Sequence, residues 1–151
     1  MTIREFDTNE AYEVYLLIED IYNNVDLGGH TAKGVKIQIK GHNPHALIRT
    51  SKSINYLVAE IENKVVGIIG YDITKLYSLF VSREHHRKGI GSRLLEEAVH
   101  QIKKQGSKQV YTFATKLSVP FYQKHGFEMV DSFYFPEGRK EIELVELKMS
   151  L

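Results

Sequence analysis

The sequence contains no cysteine and no tryptophan, and only three prolines in 151 residues. The absence of cysteine excludes disulfide cross-links, thiolate catalysis and zinc ribbons, and it is compatible with a reducing compartment. The opening segment "MTIREFDTNE" lacks the apolar core of a signal peptide. No apolar run approaches the roughly 20 residues that a membrane-spanning helix requires. These absences predict a soluble, cytoplasmic protein without a membrane contact.

An excess of one charge is also missing. Twenty basic residues face 19 acidic ones, which leaves a net charge of +1. A nucleic-acid partner is therefore not expected, although the local cluster "REHHRK" keeps such a role open as a hypothesis. With 42% apolar residues, the length predicts one domain over residues 1–151 with a core of its own.

The first half of the sequence predicts a strand, a helix and a hairpin. "TIREF" has the pattern of a short strand, and Asp7 with Glu10 is typical of a capping box for a helix that runs to about Asn23. The signal is weak over residues 25–53, which contain four glycines, although Pro44 favours the start of a short helix. "INYLVAEIENKVVGIIGYD" has two β-branched runs parted by "ENK", which predicts a hairpin.

The second half continues this alternation of strands and helices. "TKLYSLFV" predicts a strand with Leu76, Ser78 and Phe80 on one face. A glycine turn and a helix ending near Gly106 follow, then the strand "KQVYTFAT" and the short helix "LSVPFYQKH", which stops at Gly126. "FEMVDSFYF" and "KEIELVELKMS" predict a closing hairpin around "PEGR". The order of elements belongs to the α/β (α+β) class.

The turn "HHRKGIGSRLL" has the composition of an anion site. Amides in the first turn of a helix have no partner within the helix, and the helix dipole adds partial positive charge there. Gly89 and Gly91 leave the backbone open to approach, while Arg87 and Lys88 add charge. The pattern matches neither the P-loop nor the dinucleotide fingerprint. A plain turn with a cationic rim remains the alternative.

Two segments carry a family resemblance. "LFVSREHHRKGIGSRLLEEA" resembles the acyl-coenzyme-A signature of the GNAT superfamily of N-acetyltransferases, Gln/Arg-x-x-Gly-x-Gly/Ala, with His86 to Gly91 in its core. "ATKLSVPFYQKHGF" is similar to the later segment of that superfamily, and the likeness covers roughly residues 54–130. The chain departs from the pattern at His86, where Gln or Arg is usual, at Arg83, where proline is common, and at Thr115, where many members have Asn.

The resemblance implies a GNAT-like single-domain fold, a mixed and mostly antiparallel sheet of about six to seven strands flanked by helices, with strands four and five splayed around the cofactor. It implies transfer of an acetyl group from acetyl-coenzyme A to a primary amine by direct attack in a ternary complex. The alternative is a catalytically inactive coenzyme-A-binding domain that acts as a sensor or interaction module. The acceptor is a small-molecule or peptide amine of unknown identity, and a homodimer is left open.

The resemblance also implies roles for particular residues. Tyr122 matches the general acid of the family, although its ring could simply pack beside Phe121. The coenzyme-binding residues implied are Leu79, Phe80, Val81, His86, Arg87, Lys88, Gly89, Ile90, Gly91, Ser92 and Thr115. Backbone groups of the first three are expected to pair with the pantetheine arm, and an amide near Val81 to stabilise the oxyanion.

No general base can be assigned from the sequence. Lys75 lies near the position where some members have a strand glutamate, and Glu60, Asp72, Tyr77 or a chain of ordered waters are alternatives. The segment "DLGGHTAKGVKIQIKGHNPHAL" and the final hairpin are expected to line the amine pocket.

The seven histidines do not predict a metal site. His85 and His86 are neighbours whose side chains diverge on any regular element. His42 and His45 fall in a segment interrupted by glycine and proline. No metal is therefore expected.

Overall fold

The capping box predicted near the start of the chain is present in the computed structural model, which describes residues 1–136 and 138–151. The Asp7 carboxylate accepts a hydrogen bond from the Asn9 amide at 2.8 Å, and the Glu10 carboxylate accepts one from the Asp7 amide at 2.9 Å. This box opens a 3₁₀ turn that continues into helix α1, Ala11–Asn24. Strand β1, Thr2–Glu5, precedes it. Both elements agree with the prediction.

The weakly patterned segment after α1 contains two helices. Helix α3, Pro44–Thr50, begins at the proline that predicted it. Helix α2, Ala32–Gly41, was not predicted, because its two glycines suggested an interruption. Gly34 has a steric reason for being glycine, since a Cβ at that position would collide with the carbonyl of Glu141. This glycine therefore lets α2 approach the segment before the last strand.

The predicted hairpin consists of strands β2, Asn55–Ile61, and β3, Lys64–Tyr71, which pair antiparallel. Its two turn residues, Glu62 and Asn63, have φ values of 50° and 64°, which suits the right-handed twist of the strands on either side. Strand β4, Lys75–Val81, pairs antiparallel with β3.

The alternation predicted along β4 is wrong in the middle of the strand. The register with β3 shifts there, and Ser78 has a φ of 50°. Such a bulge adds one residue to the strand and exchanges the faces beyond it. Leu76 consequently shares one core with Leu79 and Val81, whereas Phe80 packs into the core on the other side of the sheet.

The remaining elements follow the predicted order. They are α4 Ile90–Lys104, β5 Gln109–Ala114, α5 Val119–Lys124, β6 Glu128–Phe135 and β7 Ile142–Ser150. Strands β6 and β7 form the closing hairpin. The predicted turn "PEGR" includes Glu137, which lies outside the described residues.

The seven strands form one sheet in the order β1-β2-β3-β4-β5-β7-β6. Strands β4 and β5 pair parallel and the other neighbours pair antiparallel. Within the described residues, β4 and β5 meet only at Lys75–Tyr111 and Leu76–Thr112, although β4 continues to Val81. This confirms the predicted mostly antiparallel sheet with its fourth and fifth strands splayed.

Helices cover both faces of the sheet. On one face, the apolar side of α4 packs on Leu57, Ala59 and Leu76, together with Tyr122 of α5. On the other face, α1 and α3 pack on Val58, Val65 and Ile68. Strand β4 lies between the two cores, so its two faces have different neighbours. Its open edge borders the gap that forms where β5 diverges.

Candidate functional site

The point where β4 and β5 separate is marked by a buried polar group. Thr112 is 2% exposed, and its hydroxyl donates a hydrogen bond to the Leu76 carbonyl at 3.2 Å. Tyr122 reaches this point from α5. Burial raises the pKa of Tyr122 to about 12, and the neighbouring Thr112 side chain partly opposes this rise. The phenol is therefore protonated at neutral pH. It lies at the vertex of the cleft, which is the gap that opens between β4 and β5 beyond Leu76 and Thr112.

The ring of Tyr122 also belongs to the core. It meets the Phe121 and Phe127 rings edge to face, each with centroids 5.3 Å apart. The packing interpretation of this residue is therefore correct for the ring, while the hydroxyl lies beside Thr112.

The end of β4 presents backbone groups to the open edge. The amide of Ser82 donates to the Val66 carbonyl in β3 at 2.8 Å. Because backbone groups alternate along a strand, the amide and carbonyl of Val81 face the opposite side, where β5 has diverged. The His86 side chain occupies part of this edge, since its Nε2 donates to the Val81 carbonyl at 2.7 Å. This bond ties the following loop to the strand.

The loop between β4 and α4 places the N-terminus of α4 beside this edge, and that N-terminus has no side-chain cap. Gly89, the N-cap of α4, has a φ of 78° and, within the described residues, no side chain caps the helix. Arg87 also has positive φ, at 63°, a conformation that a non-glycine residue adopts at a cost and that recurs at functional sites. By contrast, Thr31 and Asn43 cap α2 and α3 through their side chains, and α1 and α5, which also lack a side-chain cap, continue directly from 3₁₀ turns. The first amides of α4 are thus left for another partner.

Gly91 keeps a gap open between β4 and α5. A Cβ at this position would lie 3.6 Å from the side chains of Val81 and Phe121. These are ordinary contact distances, so the packing itself does not demand glycine. A side chain here would instead fill space between the strand end and the short helix.

The cationic side chains of the loop differ in their partners. Arg83 is paired with Asp20 of α1 at 2.8 Å, and this holds the pKa of Asp20 below its ordinary value. Arg87 and Lys88 are exposed, and neither forms an ion pair with the described part of the chain. Their charge is available to an anion.

The structure brings most of the predicted coenzyme-binding residues together. Leu79–Val81 form the strand end, and His86 to Ser92 form the loop and the first turn of α4, joined to the strand by the contacts of His86 and Gly91. Thr115 lies across the cleft after β5, where its hydroxyl is 3.0 Å from that of Ser118. Its hydroxyl is thus engaged locally.

The predicted base alternatives are engaged elsewhere. Glu60 is held by Arg4 of β1 at 3.3 Å, two strands away from β4. Burial by itself would raise the pKa of Asp72, but hydrogen bonds from Tyr77, at 2.7 Å, and from two backbone amides lower it. The Asp72 carboxylate is thus a weak proton acceptor. Burial raises the pKa of Tyr77, and so does its bond to Asp72.

Lys75 lies among aromatic rings at the other end of β4. Its Nζ is 4.0 Å from the centroid of the Phe113 ring and 4.7 Å from that of the Tyr77 ring. Burial lowers the pKa of this ammonium, and the neighbouring Asp72 opposes the shift. These cation–π contacts stabilise the charged form.

The segment expected to line the amine pocket contributes His30 and His42 to a polar cluster on the α1 and α2 side of β4, and this cluster was not predicted from the sequence. The ring of Tyr22 lies 5.5 Å from that of Phe80 and 6.2 Å from that of His42, centroid to centroid. His42 Nε2 lies 3.1 Å from the Ser78 hydroxyl. The His30 ring also lies 5.8 Å from the Tyr22 ring, and its buried Nε2 has no partner within the described residues. The cluster requires α2, whose glycines concealed it in the sequence.

No cluster of three or more metal-ligating side chains occurs within residues 1–136 and 138–151. Over the same residues, none of the helices has both the length and the apolar character needed to cross a bilayer.

Comparisons with known proteins agree with one another. The sequence model of a family described as acetyltransferase (GNAT) domain matches residues 28–151. An uncharacterised N-acetyltransferase of Chlorobaculum tepidum is 27% identical over 114 residues, which cover 72% of this chain and 69% of that protein.

Solved structures share the fold at low sequence identity. A GCN5-related N-acetyltransferase of Rhodopseudomonas palustris superposes with a TM-score of 0.91 at 11% identity, covering 99% of this chain and 95% of the other. The PaiA N-acetyltransferase of Thermoplasma acidophilum, solved in complex with coenzyme A, has a TM-score of 0.80 at 19% identity, with 99% and 98% coverage.

Proposed function

The chain belongs to the GNAT acetyltransferase family, and from this premise we propose that it transfers an acetyl group from acetyl-coenzyme A to a primary amine by direct attack in a ternary complex. One observation carries the proposal. The N-terminus of α4 lacks a side-chain cap and lies beside the open edge of β4, whereas α2 and α3 are capped by their own neighbours. The whole of residues 1–151 acts as one acetyltransferase domain.

The loop before α4 holds the pyrophosphate of the coenzyme. The amides from Arg87 to Ser92 are its donors, and the side chains of Arg87 and Lys88 add charge from the exposed rim. The positive φ of Gly89 turns the backbone into the helix. The residues present fit this ligand, because the position of Gly91 leaves room that a Cβ would fill.

Strand β4 holds the pantetheine arm. From Leu79 through Phe80 to Val81 the strand has no β5 partner within the described residues, so an extended ligand can pair with it as an added strand. The Val81 amide faces the gap and is the donor for negative charge that develops on the thioester oxygen. His86 steadies the loop against this strand end, and Thr115 borders the cleft from the β5 side.

Acetyl-coenzyme A supplies the acetyl group as a thioester, and Tyr122 is the proton donor to the departing sulfur. With a pKa of about 12, this phenol is a weaker acid than a thiol of ordinary pKa near 8.5. It therefore acts as a positioned donor at the vertex of the cleft and does not ionise before the reaction.

The acceptor amine enters on the α1 and α2 side of β4. Tyr22, His42 and Phe80 form an aromatic wall there, and Ser78 adds a hydroxyl. Among the residues that the structure describes, no carboxylate is part of this cluster, which favours a small-molecule or peptide amine over a polyamine with several cationic groups.

A thiol-release assay tests the proposal. Purified protein is incubated with acetyl-coenzyme A and a panel of amines: n-propylamine, methoxyamine, lysine, an aminoglycoside and a peptide with a free N-terminus. We expect coenzyme A release that depends on an amine, with the acetylated product found by mass spectrometry. Coenzyme A binding without release for any amine would support a sensor or interaction module instead.

A further inference from the structure

The general base that the sequence left unassigned has a candidate at the end of α2. We propose that the acceptor ammonium loses its proton to Ser78 Oγ while Ser78 passes its own proton to His42 Nε2, so that these two residues form the base of the reaction. The inference rests on the proposed acetyl transfer.

The hydrogen bonds of His42 define its tautomer. Nδ1 lies 2.7 Å from the Gln38 carbonyl oxygen, and since a carbonyl only accepts, Nδ1 carries the proton. The neutral ring therefore has its lone pair on Nε2, which lies 3.1 Å from the Ser78 hydroxyl. Ser78 donates to the ring, and the lone pairs of its oxygen remain to accept a proton from a third group.

The position of Ser78 connects this pair to the cleft. Ser78 lies two residues beyond the last pairing of β4 with β5, at the bulge that turns Leu79 to the other face. Its φ of 50° is a left-handed conformation in a non-glycine residue, a costly conformation that recurs at functional sites.

The surroundings keep His42 neutral. Burial lowers the pKa of His42, and the bond to the Gln38 carbonyl opposes this shift. Among the described residues, the ring and hydrogen-bond contacts to His42 from other elements come from α1, through Tyr22, and from β4, through Ser78 and Phe80. Tyr22 is the titratable group among them, and burial raises its pKa, so it stays uncharged. His30 also contacts the Tyr22 ring, with centroids 5.8 Å apart.

The proton transfer is balanced. An N–H bond of the ammonium breaks as an O–H bond forms on Ser78, and the original O–H bond of Ser78 breaks as an N–H bond forms on His42 Nε2. The free amine keeps the electron pair that attacks the thioester. The imidazolium that results is stabilised by the Gln38 carbonyl, which accepts from Nδ1, and it returns its proton to solvent after the transfer.

The experiment compares His42→Asn and Ser78→Ala with the wild-type protein. Asn keeps a donor near the Nδ1 position and so preserves the bond to Gln38 while removing Nε2. Both variants are assayed with n-propylamine, which is protonated at neutral pH, and with methoxyamine, which is not. We expect kcat/KM for n-propylamine to fall on the order of 100-fold and that for methoxyamine to change by less than about threefold, because the latter needs no base before attack.

Nuclear magnetic resonance of ¹⁵N-labelled histidine gives a readout without turnover. We expect the His42 signals of the wild-type protein to show the Nδ1-protonated neutral ring at pH 7, with a pKa below the ordinary value of about 6.5. Loss of activity toward n-propylamine on acidification should follow this pKa. His100→Asn is the matched control, because His100 is exposed in the second half of α4, and it should leave both rates unchanged.

Three results would overturn the inference while leaving the proposed function intact. The first is an unchanged rate of His42→Asn with n-propylamine. The second is an equal loss of rate with both amines, because that would indicate a structural role for His42. The third is a His42 ring in the wild-type protein that is protonated on Nε2 or charged at pH 7. Thermal melting and coenzyme A affinity of each variant establish that it is folded. A wild-type protein that acetylates no amine of the panel contradicts the proposed function, and the inference falls with it.

Discussion

The two faces of β4 are built in different ways. On the α4 side, Leu79 and Val81 lead into a loop whose contribution is backbone: an uncapped helix start, two glycines and the free edge of the strand. On the α1 and α2 side, Ser78 and Phe80 meet the side chains of Tyr22 and His42. A site made of backbone groups is marked in the sequence by a short local motif, whereas a site made of side chains is assembled from distant segments of the chain.

This difference assigns separate tasks to the two faces. Changes on the α4 face should alter affinity for coenzyme A, changes on the α1 and α2 face should alter use of the amine, and a change at the vertex should alter turnover. The following variants test this separation.

The largest effect is expected at the vertex. Tyr122→Phe removes the positioned proton donor but keeps the buried ring, so turnover should fall on the order of 100-fold while affinity for coenzyme A stays within about twofold. Single-turnover kinetics and calorimetry measure the two quantities. Tyr12→Phe, at a position 63% exposed, is the matched control. Full turnover of Tyr122→Phe under conditions limited by chemistry would remove the residue from the mechanism.

The next effect concerns the gap beside α4. Gly91→Val places a branched side chain between Val81 and Phe121, and we expect the dissociation constant of coenzyme A to rise more than about tenfold, because the backbone can no longer be approached. Gly41→Val, at the open end of α2, serves as the control and should bind coenzyme A normally. Normal binding by Gly91→Val would mean that the ligand lies elsewhere.

A smaller effect is expected from the loop charges. The double variant Arg87→Ala with Lys88→Ala should weaken coenzyme A binding by about fivefold at low ionic strength, and the difference from wild type should shrink in high salt because exposed charges are screened. Lys103→Ala with Lys104→Ala, in the last turn of the same helix, removes equal charge at the far end. If both double variants lose the same affinity, the effect is one of net charge.

The smallest effect tests the other face. Asn43 caps α3 by accepting from the Ala46 amide at 2.8 Å, so Asn43→Ala should lower the free energy of unfolding by about 1 kcal/mol. Denaturant titration measures this loss. Affinity for coenzyme A should not change, because α3 lies on the α1 side of the sheet. A variant with wild-type stability but weaker coenzyme binding would break the separation of the faces.

The fold could be predicted where patterns are local. Asp7 with Glu10, Pro44 and the "HHRKGIGS" turn each act within a few residues, and the elements that they mark are present. The antiparallel pairing of β6 with β7 was likewise predicted from the two strand patterns on either side of a short turn segment.

The rest depended on contacts between distant segments. Helix α2 was missed because the need for glycine at position 34 comes from Glu141, more than 100 residues later. The bulge at Ser78 has no signature in "LYSLFV", since it depends on pairing with β3. Without these two features, His42 cannot be placed near Ser78, and this is why the contact between the two residues was not predicted.

A crystal structure grown with acetyl-coenzyme A tests the central claim most directly. We predict that the pyrophosphate will contact the backbone amides between Arg87 and Ser92 and that the pantetheine arm will run along the open edge of β4 toward Tyr122. Coenzyme bound away from this loop, in a protein that remains folded as described, would contradict the account.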